Sequence, residues 1–454
     1  VECKPCGLDA IGSTFIGAPG VIIGRNSHIS WGVTNGRPDI QDLYVMEEGN
    51  TPNTYYYKGS DVQYNIESIH IKVKGRSDYV FERKSCVYGP VVTDVLNLEG
   101  GYDIALNWTQ LQPGHDTTFD SFFQLNLARN WTEFVDALRS FVAPSQNFIY
   151  ADTEGNIGYY LPGQIPIRKE GHTGRFPVPG NGSFDVEGWI PFHRLPHVLN
   201  PPDGYIVTAN NKVTPPNYAY RIEMDWGDGY RAERITSMVK GNYGRHTFGT
   251  FRTIQLDQVS LPLSKLKPYL SALNVEGAAK QWRDAMVEWD GDTADRSQVA
   301  TVFQIWYGKL MQMPSSYVGE PGKEWDASEQ LYVNMFRHNL THLCQKWSGQ
   351  TCEEYAADAL RTATNRRTYS SLFGGSGEVI PKWGEEVHLI HFQNVILTAT
   401  AFGCLGDRSY YGGGDCNTVN VACFNSDFDT YAGPSYRQII DLNDMEESKF
   451  IYPM

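Results

Sequence analysis

Between residue 11 and about residue 112 the chain alternates short β-branched or aromatic runs with turn formers: FIGAPGVIIGRN, HISWGVTNG, DLYVM, TYYYKG, YNIESIHIKVKG and YVFERKSCVYGPVVTDV. Runs this short, punctuated by Gly, Asn and Pro, predict strands joined by tight turns. The period changes over Phe119–Phe141, where Phe122, Leu125, Leu127, Phe134, Val135, Leu138 and Phe141 form a helical stripe. Strand patterning resumes in FIYADTEGNIGYYL and continues through GYIVTANN. From about 231 to 366 apolar residues recur three and four apart, as in KQWRDAMVEW and QVATVFQIWYGKLMQM, and predict a mostly helical stretch; NTVNVACF and YRQIIDL then read as strands. Strands, then helices, then strands, without regular β–α alternation, predict an α+β fold with layered sheets and a helical insert. No repeat or linker interrupts the pattern, so one domain over 1–454 is expected, with the helical insert at 231–366.

Composition narrows the function. The 454 residues carry 38 Lys+Arg against 52 Asp+Glu, a net charge of −14, with 41% apolar and 13% aromatic residues. This is a globular chain, and its acidic balance without a basic cluster argues against a nucleic-acid partner or an anionic membrane surface. No run approaches the ~18 consecutive apolar residues of a membrane span. The chain opens on Val1 rather than Met, within VECKPCGLDA, and closes on KFIYPM without a cap or polar tail. It reads as a piece of a longer protein from which any leader has been removed.

Eight cysteines stand at Cys3, Cys6, Cys86, Cys344, Cys352, Cys404, Cys416 and Cys423. The C-x-x-C at Cys3 and Cys6 lacks the second pair or the His residues that zinc requires. The even count, with Cys344/Cys352 and Cys404/Cys416/Cys423 in polar or Gly-rich settings, fits local disulfides. Sequons at Asn107, Asn130, Asn181 and Asn339 point the same way, to a secreted, periplasmic or lumenal protein.

No G-x-S-x-G, H-E-x-x-H or phosphate-binding G-x-x-x-x-G-K-[ST] motif is present. Candidate chemistry lies instead in dense loop phrases. In Gly32–Asp42, Asp39 and Asp42 flank a carbonyl-rich dipeptide, an oxygen-ligand spacing that suits Ca²⁺; it equally suits a strand-to-strand loop capped by Asp. In Gly204–Asn211 a predicted strand ends in two amides, and an Asn side chain there can donate to an oxyanion or simply form a turn. In Trp226–Arg234 the guanidinium of Arg231 can orient an amide, or pair with Glu233 or Asp228.

Taken together, the phrases resemble the penicillin acylase family of N-terminal nucleophile (Ntn) hydrolases over nearly the whole chain. The matching stretches are GAPGVIIGRNSHISWGVTNGRPDIQDLYV, FIYADTEGNIGYYLPGQIPIR, FPVPGNGSFDVEGWIPFHRLPHVLNPPDGYIVTANN, WGDGYRAERI, and GGGDCNTVNVACF followed by GPSYRQIIDL. The resemblance implies a four-layer αββα sandwich, incomplete here at both ends, and hydrolysis of linear amides through an acyl-enzyme. It also implies an autoproteolysed zymogen whose new N-terminal Ser, Thr or Cys attacks with its own α-amine as base, and an α subunit cut from the same precursor. An α-amine pKa near 8 suits that role at neutral pH.

By the same resemblance Asn210 is the oxyanion-hole amide, the backbone N–H of Asn35 is the second donor, and Arg231 positions the amide. Asp39, the Gln41 carbonyl and Asp42 are the calcium ligands, and Ile23 and Val33 line the acyl pocket. The sequence departs from the family in three ways. A further calcium carboxylate falls on Tyr220 and another backbone ligand on Gly174, so the calcium site is expected to be rearranged or incomplete. Val1, Cys3 and Cys6 do not match the nucleophile, which the resemblance places upstream, so the chain alone is expected to be inactive. The family's final segment is expected beyond Met454. The competing expectation is a non-catalytic scaffold that keeps the fold and binds an acyl chain or peptide. The small-molecule amide itself is left open among a β-lactam side chain, an acyl-homoserine lactone and an N-acyl amino acid.

Overall fold

The computed structural model describes residues 2–451 apart from 4–5, 19, 98–100, 113–115, 295–296, 319–328, 339, 375 and 393–407. Contacts group the chain into two compact units, Val1–Trp226 with Ile440–Glu446, and Gly227–Ile439 with Glu447–Met454. The division falls at Trp226/Gly227, where the composition shows no linker and a single domain is expected.

The first unit is organised by a seven-stranded antiparallel sheet. Its order is β1 (Glu2–Cys3), β2 (Leu8–Ser13), β3 (Ile23–Asn26), β4 (Ile29–Asn35), then the strands Gln146–Asp152, Ile157–Tyr160 and His197–Leu199. Residues directly opposite in an antiparallel ladder share a face, so the register sorts the side chains. Ile29, Trp31 and Val33 face the same way as their partners Asp152, Tyr150 and Phe148. That face is covered by α1 (Thr118–Leu127) and α2 (Trp131–Leu138), with Phe134 against Phe148 and Tyr150, Phe122 against Phe148, and Trp131 against Tyr150. The predicted single helical stripe is thus two helices. The first ends at Leu127, where Ala128 turns extended, and Asn130 caps the second, its side chain accepting from the Glu133 N–H while the Glu133 carboxylate accepts from the Arg129 N–H. The opposite sheet face carries Ile23, Thr34, Asn147, Ile149 and Tyr159.

β5 (Gln41–Met46) belongs to a separate three-stranded sheet, between Asp103–Trp108 and Val178–Pro179. The loop 36–40 therefore runs from one sheet to another. GYIVTANN, expected as a strand, makes no ladder. It runs irregularly past the sheet and turns at Ala209–Asn210, where the Ala209 N–H donates to Asn211 Oδ1 and Asn210 takes a left-handed φ of 64°. The paired amides act as turn formers and leave the segment without strand pairing.

The second unit contains the expected helical stretch. Helices run from α3 (Tyr230–Gly241) to Arg366–Phe373, and Gln298–Val318 passes through a core of Leu270, Met286, Phe303, Trp306, Leu310 and Leu360. NTVNVACF yields only the two-residue strand Cys423–Phe424. Its neighbourhood is held by the fully buried Asp415, whose carboxylate accepts from Ser260 Oγ at 2.6 Å and Gln304 Nε2 at 2.7 Å. Cys3 pairs with Cys6, Cys344 with Cys352, and Cys416 with Cys423; Cys86 is a half-buried thiol, and Cys404 lies outside the described residues. Among the described residues no helix is long and apolar enough to cross a membrane.

His388, fully buried and stacked on Trp383, approaches the Gly412 carbonyl through Nδ1 and the Thr430 hydroxyl through Nε2. Burial pushes its pKa down to about 4, against weaker upward pulls from the Gly412 carbonyl and Asp429. The unfolded imidazole binds its proton near pH 6.5, so the contribution of neutral His388 is complete above that pH. It is lost as the pH falls through the folded value. Stability is expected to drop by about 2–3 kcal/mol from this group between pH 6.5 and 4. In urea titrations across that range, His388→Gln should flatten this acid limb; an unchanged limb would assign it to other groups.

Candidate active site

The site is built at the end of β4. Gly36 donates its N–H to the Ser145 carbonyl at 3.1 Å, which continues the ladder with Gln146–Asp152 one residue beyond Asn35. Hydrogen-bonded pairs alternate along an antiparallel ladder, so Asn35, opposite Gln146, occupies a non-hydrogen-bonded position. Its N–H and C=O therefore point away from that neighbour, toward the side on which β3 has already ended. Gly36 packs closely at the next position, where a Cβ would lie 2.3 Å from Leu161 Cδ1 and 3.1 Å from the Ser145 carbonyl oxygen.

Asn210 reaches the Asn35 edge, its Nδ2 donating to the Asn35 carbonyl at 3.0 Å. This bond fixes the plane of the Asn210 amide and sets it against the strand edge that carries the Asn35 N–H. The left-handed backbone at Asn210 makes the approach possible, and Asn tolerates that conformation better than other residues with a Cβ.

Two residues that sequence reasoning missed stand behind the pair. Asn147, fully buried, donates through Nδ2 to the Asn35 carbonyl at 3.2 Å and to Thr34 Oγ1 at 3.1 Å. Its Oδ1 accepts from the Tyr159 hydroxyl at 2.7 Å. Burial pushes the Tyr159 phenol well above its ordinary range, so it remains a donor. Thr34 also meets Thr208 at 3.1 Å, tying the segment before Asn210 to β4. The line Tyr159–Asn147–Asn35–Asn210 thus lies along the sheet face away from the helices. The sequence signal was weak, since Asn147 and Tyr159 look like ordinary members of apolar strands.

Of the two expected pocket residues, Ile23 lies on the same sheet face as this line, whereas Val33 points to the helix-covered face beside Phe148. Arg231 belongs to the second unit, where it opens α3 beside Tyr230.

Asp39 and Asp42, four and seven residues beyond Asn35, are brought together, but around a side chain that sequence reasoning missed. Arg168 Nε donates to both Asp42 carboxylate oxygens at 2.9 and 3.0 Å, while Nη2 lies 3.1 Å from Asp39 Oδ1 and donates to the Asp39 carbonyl at 3.1 Å. His172 Nε2 comes within 3.1 Å of Asp42 Oδ1. Burial pushes the Asp39 carboxyl up to about 6, with Arg168 pulling the other way. Burial also raises Asp42, but the adjacent His172 ring and the charge and hydrogen bonds of Arg168 outweigh it and hold that carboxyl below its ordinary value. Gln41 is exposed at the start of β5, Tyr220 packs against the apolar core, and Gly174 closes over Asp39 so tightly that a Cβ would lie 1.9 Å from Oδ2. Calcium requires six to eight converging oxygens. Among the described residues no three carboxylate, imidazole or thiol groups gather as a metal cage, and the ground between the carboxylates is taken by a guanidinium. As folded, these residues do not fit the ion that the resemblance implies.

The α+β fold recurs in a protein of known structure. A thermostable penicillin G acylase from Alcaligenes faecalis shares the fold with a TM-score of 0.71 at 21% identity, over 90% of this chain and 79% of that one. The acyl-homoserine lactone acylase QuiP of Pseudomonas aeruginosa is 27% identical over 98% of this chain and 58% of its own length. The penicillin acylase 2 proenzyme of a Pseudomonas strain is 26% identical over the same shares. The chain spans less than two thirds of these two curated relatives. The penicillin amidase family is matched over residues 1–454, and the chain belongs to that family of Ntn hydrolases.

Proposed function

We propose that the whole protein to which this chain belongs hydrolyses linear N-acyl amides, and that this chain supplies the oxyanion-binding half of the centre. The observation that carries the reading is the 3.0 Å bond from Asn210 Nδ2 to the Asn35 carbonyl, which sets two donors on one strand edge. When an amide carbonyl is attacked, negative charge moves onto its oxygen. Donors already fixed in place stabilise that charge without reorganising, and each is worth a few kcal/mol. The buried Asn147 and Tyr159 hold the pair so that it does not collapse onto water. In this reading the N-terminal residue of a processed precursor attacks, its α-amine takes the proton, and Arg231 orients the scissile amide. The 454 residues alone are then inactive, and an α subunit from the same precursor completes an αββα sandwich around the site.

Relatives named as acyl-homoserine lactone acylases and penicillin acylases suggest an apolar acyl group on a small polar amine. Ile23, on the site's face of the sheet, is the acyl-pocket residue of this chain, whereas half-buried Val33 lies on the helix-covered face. The three cysteine pairs support an exported protein. Release of free amine from an N-acyl homoserine lactone, an acylated penicillin and an N-acyl amino acid by the full-length protein tests the reading. Turnover of at least one is expected; turnover of none contradicts it.

A further inference from the structure

We propose that in this protein the Arg168 guanidinium, and not a divalent cation, is the positive charge that holds the loop between β4 and β5. Two carboxylates and a backbone carbonyl converge on it: Asp42 through Nε, Asp39 and the Asp39 carbonyl through Nη2. Two carboxylates and a peptide oxygen are what a hard cation would take, yet here the Asp42 carboxylate and the Asp39 carbonyl are each met by a directed N–H and the Asp39 carboxylate by an ion pair. The Arg168 side chain is only 4% exposed and that of Asp42 2%, so neither has water as an alternative partner. A buried guanidinium with several carboxylate hydrogen bonds is stable only as part of such a set.

Gly174 makes the arrangement possible. A Cβ at this position would fall 1.9 Å from Asp39 Oδ2 and 3.1 Å from Arg168 Cζ, so a side chain there would displace the pair. The loop so held begins at Gly36, next to Asn35, and is further pinned by the Asp39 N–H on the Ile222 carbonyl at 2.9 Å. Arg168 therefore acts as a positioning residue for the strand end. This inference concerns stability and metal content and holds whether or not the amide-hydrolase reading is correct.

The test is made on the full-length protein. After dialysis against EDTA and then buffer, elemental analysis is expected to find no equimolar calcium, and the melting temperature is expected to be the same with EDTA and with added calcium. One retained calcium per chain, bound so that EDTA lowers the melting temperature and Asp42→Asn releases it, would overturn the proposal. Arg168→Ser is expected to lower the melting temperature by roughly 5–15 °C, because it leaves two carboxylates without their counter-charge. Arg168→Lys should recover only part of that loss, since an ammonium cannot bridge in the same plane. An unchanged melting temperature in Arg168→Ser would also overturn the proposal. Should that variant fail to fold, the metal content and EDTA response of the unsubstituted protein decide alone.

Discussion

In the full-length protein, Asn210→Ala is expected to lower kcat for N-acyl amide hydrolysis by about 100- to 1,000-fold, the usual consequence of removing one side-chain oxyanion donor. KM should change little, because the donor acts mainly on charge that develops in the transition state. Two effects are mixed in this variant. Asn210 has a φ of 64°, and alanine in a left-handed conformation adds strain of roughly 1 kcal/mol. Asn210→Gly removes the amide without the strain, so it should be as inactive as the alanine variant but better folded. Asn210→Asp keeps the shape but points a carboxylate at an oxyanion, and should not rescue activity. If all three retained near-normal kcat, Asn210 would not be a donor to the reacting oxygen.

The second large effect is on stability, and it lies at the joint between α1 and the sheet. Asn126 is almost fully buried; its Oδ1 accepts from the Val21 N–H at 2.7 Å, and its Nδ2 donates to the Val21 carbonyl at 2.7 Å and to the Phe122 carbonyl at 2.9 Å. It treats Val21 as a strand partner would. Asn26, equally buried, donates through Nδ2 to the carbonyls of Asn126 and Ala128 and accepts from the His28 and Ile29 N–H groups. Asn126→Ala strands both polar groups of Val21, itself 3% exposed, and each orphaned group costs about 1–3 kcal/mol. A loss of about 3–5 kcal/mol is expected in denaturant titration. Asn126→Asp should lose less, since its carboxylate still accepts from the Val21 N–H. A loss below about 1 kcal/mol for the alanine variant would mean that water replaces the side chain.

Much of this was legible from periodicity alone. The alternation in HISWGVTNG and QNFIYAD places Trp31, Phe148 and Tyr150 on one face, and the three-and-four spacing around Phe122 and Phe134 supplies the helices that cover it. Local patterning works there because one buried face dictates each choice. It fails at GYIVTANN, which has β-forming residues but no neighbouring strand to pair with. It stops short at the Asp39–Asp42 phrase, for a different reason. Asp39 and Asp42 announce an interest in positive charge, but nothing within the phrase says which positive charge. The answer, Arg168, comes from more than a hundred residues away and is admitted by a glycine at 174. Asn147 and Tyr159 were invisible for the same reason: each is an unremarkable strand residue until the register sets it beside Thr34 and Asn35. The boundary at Trp226/Gly227 likewise reflects contacts between distant segments, since Ile440–Glu446 returns to the first unit and Arg25 donates to the Met445 carbonyl at 3.1 Å.

The central claim is that the Asn35 edge and the Asn210 amide together receive the oxygen of an attacked amide. The most direct measurement is a crystal structure of the full-length mature protein with a boronic acid bound as a tetrahedral adduct. One boron-bound oxygen is predicted about 3 Å from both Asn210 Nδ2 and the Asn35 backbone nitrogen. An adduct whose oxygens all lie beyond hydrogen-bonding reach of both groups would contradict the account.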